Sequence, residues 1–348
     1  MVAPDTAYSN HEAESGADGR SALSLPGGPE PLVDRWQRSV WFGTTEAMSR
    51  RREHLFYAAV KQGGALVAIG WLLLQPTGWV EWSGFALFYV LNILSMSLGY
   101  HRYFTHKAFQ TSRPMRYGLA ALAQFGMYGS LRRWVADHRR HHALSDRPGD
   151  IHSPWVDGHG RPLSGKAGLK HSHLGWAYDD VVTNTDLYGK GVLGDPAIEW
   201  AHRTRYLWLV ISVLVAPTLW AMAWGGGLAV SANTLIGTIL VAGFLRAALA
   251  LHAIAAVNSF GHVHGYRNFE VGDTARNNLV LGYLTLGEGW HNNHHAHARA
   301  ASNHMRWWEI DMTGWVIAGL EKLGLIWDVR WPDFERPSGR SGRAPRRN

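Results

Sequence analysis

Nine histidines fall in four short segments of the chain: His101 and His106 in HRYFTH, His138, His141 and His142 in DHRRHH, His262 in NSFGH, and His291, His294 and His295 in HNNHH. Imidazole nitrogen suits iron, zinc, copper or nickel, and the chain has no cysteine, so thiolate-bound zinc and iron–sulfur clusters are excluded. One ion takes about three to five such ligands. Nine therefore point to two ions. Within each HxxHH box the rings at i, i+3 and i+4 share one helix face and are expected to converge on a point. His101 and His106 are five apart, about 140° round an ideal helix, which predicts a helix end or a distorted turn. Any one of these residues alone would read as an ordinary core or surface histidine; the repeated spacing carries the metal reading.

Ligands of this kind need rigid elements to hold them, and the chain of 348 residues supplies apolar stretches near 63–74, 83–100, 206–224 and 235–257. Only Arg246 interrupts them with a charge, and each nears the length a bilayer demands. Four transmembrane helices in two hairpins are expected, with Lys61 at the start of the first snorkelling to the interface. The connections 75–82 and 225–234 contain no Lys or Arg, whereas Arg50, Arg51 and Arg52 precede the first span and 102–147 is strongly basic. By the positive-inside rule both termini and every histidine box face the cytoplasm, which for a bacterial protein means the inner membrane. The 18 tryptophans suit interfacial belts, and the net charge of +7 suits lipid headgroups or an anionic substrate. No nucleic-acid motif is present. Residues 1–34 read as a flexible polar tail without an apolar signal core, and 336–348 as a basic disordered tail. The single domain between them is 35–335.

The order HRYFTH, WVADHRRHH, HSHLGW, FLRAALALHAIAAVNSFGH and GEGWHNNHH resembles the membrane-bound fatty acyl desaturases of the delta-9, or stearoyl-CoA desaturase, type. The resemblance runs from about residue 70 to about 328. It implies an all-α membrane protein: four transmembrane helices carrying a cytosolic helical cap that holds a di-iron site, with the acyl chain in a narrow kinked tunnel. Its metal ligands fall on His101, His106, His138, His141, His142, His262, His291, His294 and His295, with Asn258 holding a metal-bound water. Asn258 sits one turn before His262 on the same helix face. His173, in the SHxGW segment, is expected near the substrate head. Asp137 and Glu288 flank the boxes and could orient ligand rings or cap helices. His252 and Arg246, both within a predicted span, are expected to be paired inside the bundle.

Removing two hydrogens from adjacent unactivated methylenes needs an oxidant that no side chain supplies. The resemblance implies iron, O2 as co-substrate, hydrogen removal at C9 and C10, and a cis double bond in a long-chain acyl-CoA. Arg132, Arg133, Arg139, Arg140 and Arg147 surround the second box and could meet the phosphates of coenzyme A, or equally anchor lipid headgroups. Desaturases of membrane-lipid acyl chains carry the same boxes, and a hydroxylase, acetylenase or decarboxylase is possible on the same scaffold. A non-catalytic metal-binding membrane protein would not need nine converging ligands. Electrons are expected from a separate carrier, a ferredoxin, a rubredoxin or a cytochrome b5-like protein with its NAD(P)H reductase.

Overall fold

The structure, a computed structural model, describes residues 36–333; the two expected tails, 1–34 and 336–348, lie outside the described residues, as do 35, 334 and 335 of the expected domain. Helices α1 (Thr45–Leu74) and α2 (Trp79–Thr105) form one hairpin. After them come α3 (Arg113–Phe125), α4 (Leu131–Leu144) and α5 (Gly165–His173). The second hairpin is α6 (Pro196–Gly225) and α7 (Ala232–His262). Short helices α8 (Leu279–Leu284) and α9 (His291–Ala296), then α10 (Met312–Lys322), complete the chain. Two small antiparallel clasps tie the non-spanning part together: β1 (Val40–Phe42) with β3 (Val181–Thr183), and β2 (Gln110–Thr111) with β4 (Ile326–Trp327).

Helices α1, α2, α6 and α7 are the four that are long and apolar enough to cross a membrane. Their ends follow from local chemistry. Thr44 caps α1 by accepting from Ala47 N, Asp195 caps α6 from Ala197 N with Pro196 in the first turn, and Gly226 closes α6 at φ 114°. The outward faces expose Leu66, Leu73, Leu74 and Leu219, surface that lipid satisfies and water does not. The helices outrun the apolar stretches at the cap end, α1 and α6 by beginning at Thr45 and Pro196, α2 and α7 by ending at Thr105 and His262.

Three of the four spanning helices contain wide turns with i→i+5 hydrogen bonding, at Ser95–Thr105, Ile211–Val215 and Ile239–Leu245. The one in α6 has a local cause. Pro217 has no N–H for the Val213 carbonyl, and Gly243 of α7 passes beside that freed oxygen, where a Cβ would lie 2.3 Å from it. Arg246, wholly buried, stitches the two helices there by donating to Ser212 Oγ at 2.6 Å and to the Ala242 carbonyl at 2.9 Å. Its partners are hydroxyl and carbonyl oxygens, not a carboxylate.

The expectation that Lys61 snorkels is wrong. Lys61 is 3% exposed, and its ammonium donates inward to the Met127 carbonyl at 2.9 Å. Taking an ammonium out of water is costly, and the carbonyl and the flanking rings of Tyr57 and Tyr128 offset that cost. Two hairpins put both inter-helix connections at one end of the bundle. Reporter fusions after Trp79 and after Gly226 should therefore read from one side of the membrane and a fusion after Asp328 from the other; opposite readings at the first two would break the hairpin arrangement.

Candidate metal centre

The nine histidines meet at one end of the bundle in two groups. His101, His106, His138, His142 and His294 form one; His141, His262, His291 and His295 form the other; within each, the ligand atoms all lie within 4.8 Å of one another. Each HxxHH box is divided between them, contrary to convergence on a single point. Box two sends its i and i+4 rings to the first group and its i+3 ring to the second. Box three does the reverse. The reason is geometric: i+3 and i+4 are about 100° apart round a helix, so neighbouring rings straddle two centres. The ring pairs His141–His142 and His294–His295 are accordingly 5.5 and 5.7 Å apart. His101 and His106 join the same group because the wide turns of α2 bring residues five apart onto one face, with His106 N bonded to His101 O at 3.1 Å.

The spacing fits metal coordination. Nε2–Nε2 distances are 3.0 Å for His101–His294, 3.1 Å for His106–His138, 3.0 Å for His138–His142 and 2.9 Å for His142–His294. In the second group His262–His291 is 3.1 Å and His141–His295 is 3.3 Å. Nitrogens bound about 2.1 Å from one ion and about 90° apart would lie about 3 Å from each other. Protonation supports the same reading. Burial, reinforced by neighbouring rings, holds His138, His142, His291 and His294 well below the usual imidazole range, so they stand neutral and able to donate a lone pair.

Carboxylates on the far side of three rings fix which nitrogen carries that lone pair, and a fourth lies close to His101. His141 Nδ1 faces Asp150 at 2.9 Å, His262 Nδ1 faces Asp146 at 2.9 Å, and His295 Nδ1 faces Asp273 at 2.8 Å. Glu288 Oε2 lies 2.6 Å from His101 Nδ1 in a close but bent contact. Each ring so held carries its proton on Nδ1 and turns a bare Nε2 inward. For His141 and His295 this leaves two lone pairs facing at 3.3 Å, an arrangement that a cation between them relieves. Burial pushes the Asp150 carboxyl up, but the His141 ring beside it outweighs that, and the net is a fall to about 2, so Asp150 stands ionised and accepts from the ring. Asp273 behaves likewise, with burial opposed by His295 and the result below the ordinary carboxylate range.

Of the two acids singled out in the sequence, Glu288 touches a ligand ring, whereas Asp137 accepts from Thr183 and only borders the adjoining cavity. Asp146, Asp150 and Asp273 escaped the sequence reading, since they sit in loops with no fixed spacing from the boxes. The available signal was the rule that a ligating imidazole pairs its other nitrogen with an acid. The two asparagines inside HNNHH anchor box three: Asn292 Oδ1 accepts from Asn268 N and Phe269 N at 2.8 Å each, and Asn293 Nδ2 reaches Glu309 at 2.9 Å. His152 is buried, with its ring centroid 4.3 Å from that of His141, and its ligand atom lies within 4.8 Å of those of His141 and Asp150.

Two narrow cavities run from the histidines into the bundle. The first, about 60 Å³, is bordered by His101, His138, His291 and Asn258. The second, about 90 Å³, shares Met96, Trp134, Trp176, Ile254 and Asn258 with it and continues to Tyr57, Lys61 and Tyr128. Asn258 thus stands in the wall between metal groups and tunnel, and among the described residues its amide makes no protein hydrogen bond. His173 borders the second cavity and is bonded to His252 at 2.9 Å, which in turn meets Gln62 at 2.8 Å. Four of the five arginines near box two are engaged elsewhere, and the fifth, Arg140, is buried with its Nε and Nη1 unpartnered among the described residues. Arg133 pairs with Glu53 at 2.6 Å and Arg132 with Glu199 at 3.5 Å, Arg139 donates to the Tyr188 and Lys190 carbonyls, Arg147 donates to Gly272 O, and Arg140 is 1% exposed.

A four-helix membrane bundle capped by two groups of histidines, with two narrow cavities beside them, defines a class of membrane protein built to hold metal. The chain belongs to the fatty acid desaturase family, whose model matches residues 77–330. It is 36% identical over 282 residues to a hex-5-enoyl-[acyl-carrier protein] acetylenase of Moorena producens (strain JHB), covering 81% of this chain and 86% of the relative. It is 30% identical over 310 residues to an sn-2 palmitoyl-lipid 9-desaturase of Nostoc sp. (strain 36), covering 87% and 93%. It is also 30% identical over 246 residues to delta-9 acyl-lipid desaturase 2 of Arabidopsis thaliana, covering 71% and 73%. The family is one of iron-using oxidoreductases, and the chain is accordingly a membrane oxidoreductase of lipid metabolism.

Asp273→Asn removes the proton acceptor behind His295 while keeping its shape. Metal affinity should fall about 10- to 100-fold with the thermal midpoint little changed, as read by metal content after dialysis against graded chelator. Unchanged retention would mean that the carboxylate does not hold the ring for metal.

Proposed function

We propose that the chain is an oxygen-dependent fatty acyl desaturase that places a cis double bond at the Δ9 position, with two irons held by the two histidine groups. The observation that carries this reading is the pair of groups, with five and four converging imidazoles, at the head of a narrow tunnel. Neutral nitrogen ligands fit ferrous iron without adding negative charge. When bound, iron supplies the redox chemistry with O2 that removes two hydrogens from adjacent methylenes. Two further electrons come from a separate carrier and two protons from water, so that one O2 leaves as two waters.

The residues of the chain do the rest. Met96, Trp134 and Ile254 shape the tunnel beside the histidines and set which methylenes lie there. Trp134 also stacks on His138 at 4.8 Å, so tunnel wall and ligand move as one piece. Asn258 is placed to hold a water toward the metal. A surface crevice bordered by His142, Arg147, Asp273 and His295 gives a reducing partner access to both groups. The orientation proposed is cytoplasmic for the cap, supported by the basic segments beside it.

Among head groups, an acyl chain esterified in lipid or borne on a carrier fits better than coenzyme A. Phosphate binding would require Arg132, Arg133, Arg139 and Arg147 to leave the partners described above, and Arg140 is buried. The relatives support both halves of this reading, two being acyl-lipid desaturases and one acting on a carrier-bound chain. The acetylenase relative favours a second reading, in which the same site oxidises an existing double bond further.

Expression in a host unable to make unsaturated fatty acids, followed by mapping of its lipids, tests the proposal. A cis-9 monoene is expected, and His294→Ala should cut its formation below about a tenth, roughly 1.4 kcal/mol of barrier, while the protein still inserts. A triple bond or hydroxyl product would move the assignment to the second reading or beyond it; full activity in the variant would remove His294 from the site.

A further inference from the structure

The acyl tunnel contains a cation that redox chemistry does not explain. Lys61 is buried in the wall of the second cavity, with Tyr57 and Tyr128 rings each centred 5.6 Å from its Nζ. One of its three protons goes to the Met127 carbonyl. Among the described residues no carboxylate pairs with it. Glu53, about two turns earlier on α1, is taken by Arg133 at 2.6 Å and Arg205 at 2.7 Å. Across the cavity Leu251, Ile254 and Ala255 of α7 are apolar, and among the described residues Asn258, the polar side chain of α7 that lines it, makes no hydrogen bond to Lys61.

An ammonium with spare donors in such a place is matched by only one part of an acyl substrate. The chain and its methyl end present C–H bonds alone, and every oxygen lies at the head. The polar shoulder beside Lys61 agrees with a head group at this level. Gln62, His252, His173 and Ser259 form a continuous hydrogen-bonded run from α1 across α7 and α5. Ala58, Leu174 and Leu251 near it are half-buried at the cavity's rim.

We propose that Lys61 binds the carbonyl or carboxylate oxygen of the acyl substrate, so that the methylenes beside the histidine groups are counted from the head and not from the methyl end. The inference rests on the desaturase reading for its substrate, but its test does not depend on turnover. Binding to the metal-loaded protein without oxygen compares palmitoyl N-acetylcysteamine thioester with the hexadecyl thioether that lacks only the carbonyl oxygen. The thioester should bind about tenfold tighter, as a hydrogen bond from a charged donor provides. That gap should close in Lys61→Met and persist in Lys61→Arg. Palmitate and a palmitoyl glycerolipid, run alongside, show whether a carboxylate or an ester carbonyl is preferred. Where turnover is measured, chains of different length should be desaturated at one distance from the carbonyl, and Lys61→Met should spread the products over neighbouring positions. Equal binding of thioester and thioether by the unaltered protein overturns the proposal even if the variants fail to insert. Unequal binding without any oxidised product leaves Lys61 in place and removes the desaturase reading instead.

Discussion

The fold is organised around a repulsion. Nine imidazoles are gathered with their Nε2 atoms about 3 Å apart, and carboxylates on Asp146, Asp150 and Asp273 fix the proton of three rings on the outer nitrogen. Bare lone pairs are thereby aimed at one another in a water-poor interior, an arrangement that is unfavourable by itself and becomes favourable around cations. Much of the surrounding structure serves to keep it from relaxing.

The deepest restraint is Arg102. Wholly buried, it donates to Glu288 at 2.9 Å, to Asp311 at 2.8 Å and to the Ala301 carbonyl at 2.7 Å. Glu288 in turn lies against His101, and Asp311 caps α10 through Gly314 N. One guanidinium thus joins the first spanning hairpin, the loop before box three and the last helix of the cap. Breaking such a buried network by removing one partner costs about 3–5 kcal/mol, so the position of His101 is tied to the integrity of the cap.

Much of this was legible in the sequence. The HxxHH spacing and the apolar stretches located the histidines that converge and the four spans, because metal affinity and lipid solvation each impose a local pattern. Other features depend on contacts between distant segments. Nothing in HRYFTH alone shows that α2 widens its turns to bring His101 and His106 onto one face. The division of each box between two groups depends on how α4 and α9 face each other. Asp146 and Asp273 sit in loops, and their value appears only once His262 and His295 lie beside them. Lys61 was misread because hydropathy sees a charge near a span's end and cannot see the Met127 carbonyl that draws it inward.

The account's central claim is that the two histidine groups each hold one iron. Protein made in iron-supplemented cells, analysed for metal content and by X-ray absorption at the iron edge, tests it most directly. The account requires about two irons per chain in an all-nitrogen and oxygen shell with several imidazoles per iron. A fully active preparation with a single iron per chain would contradict it.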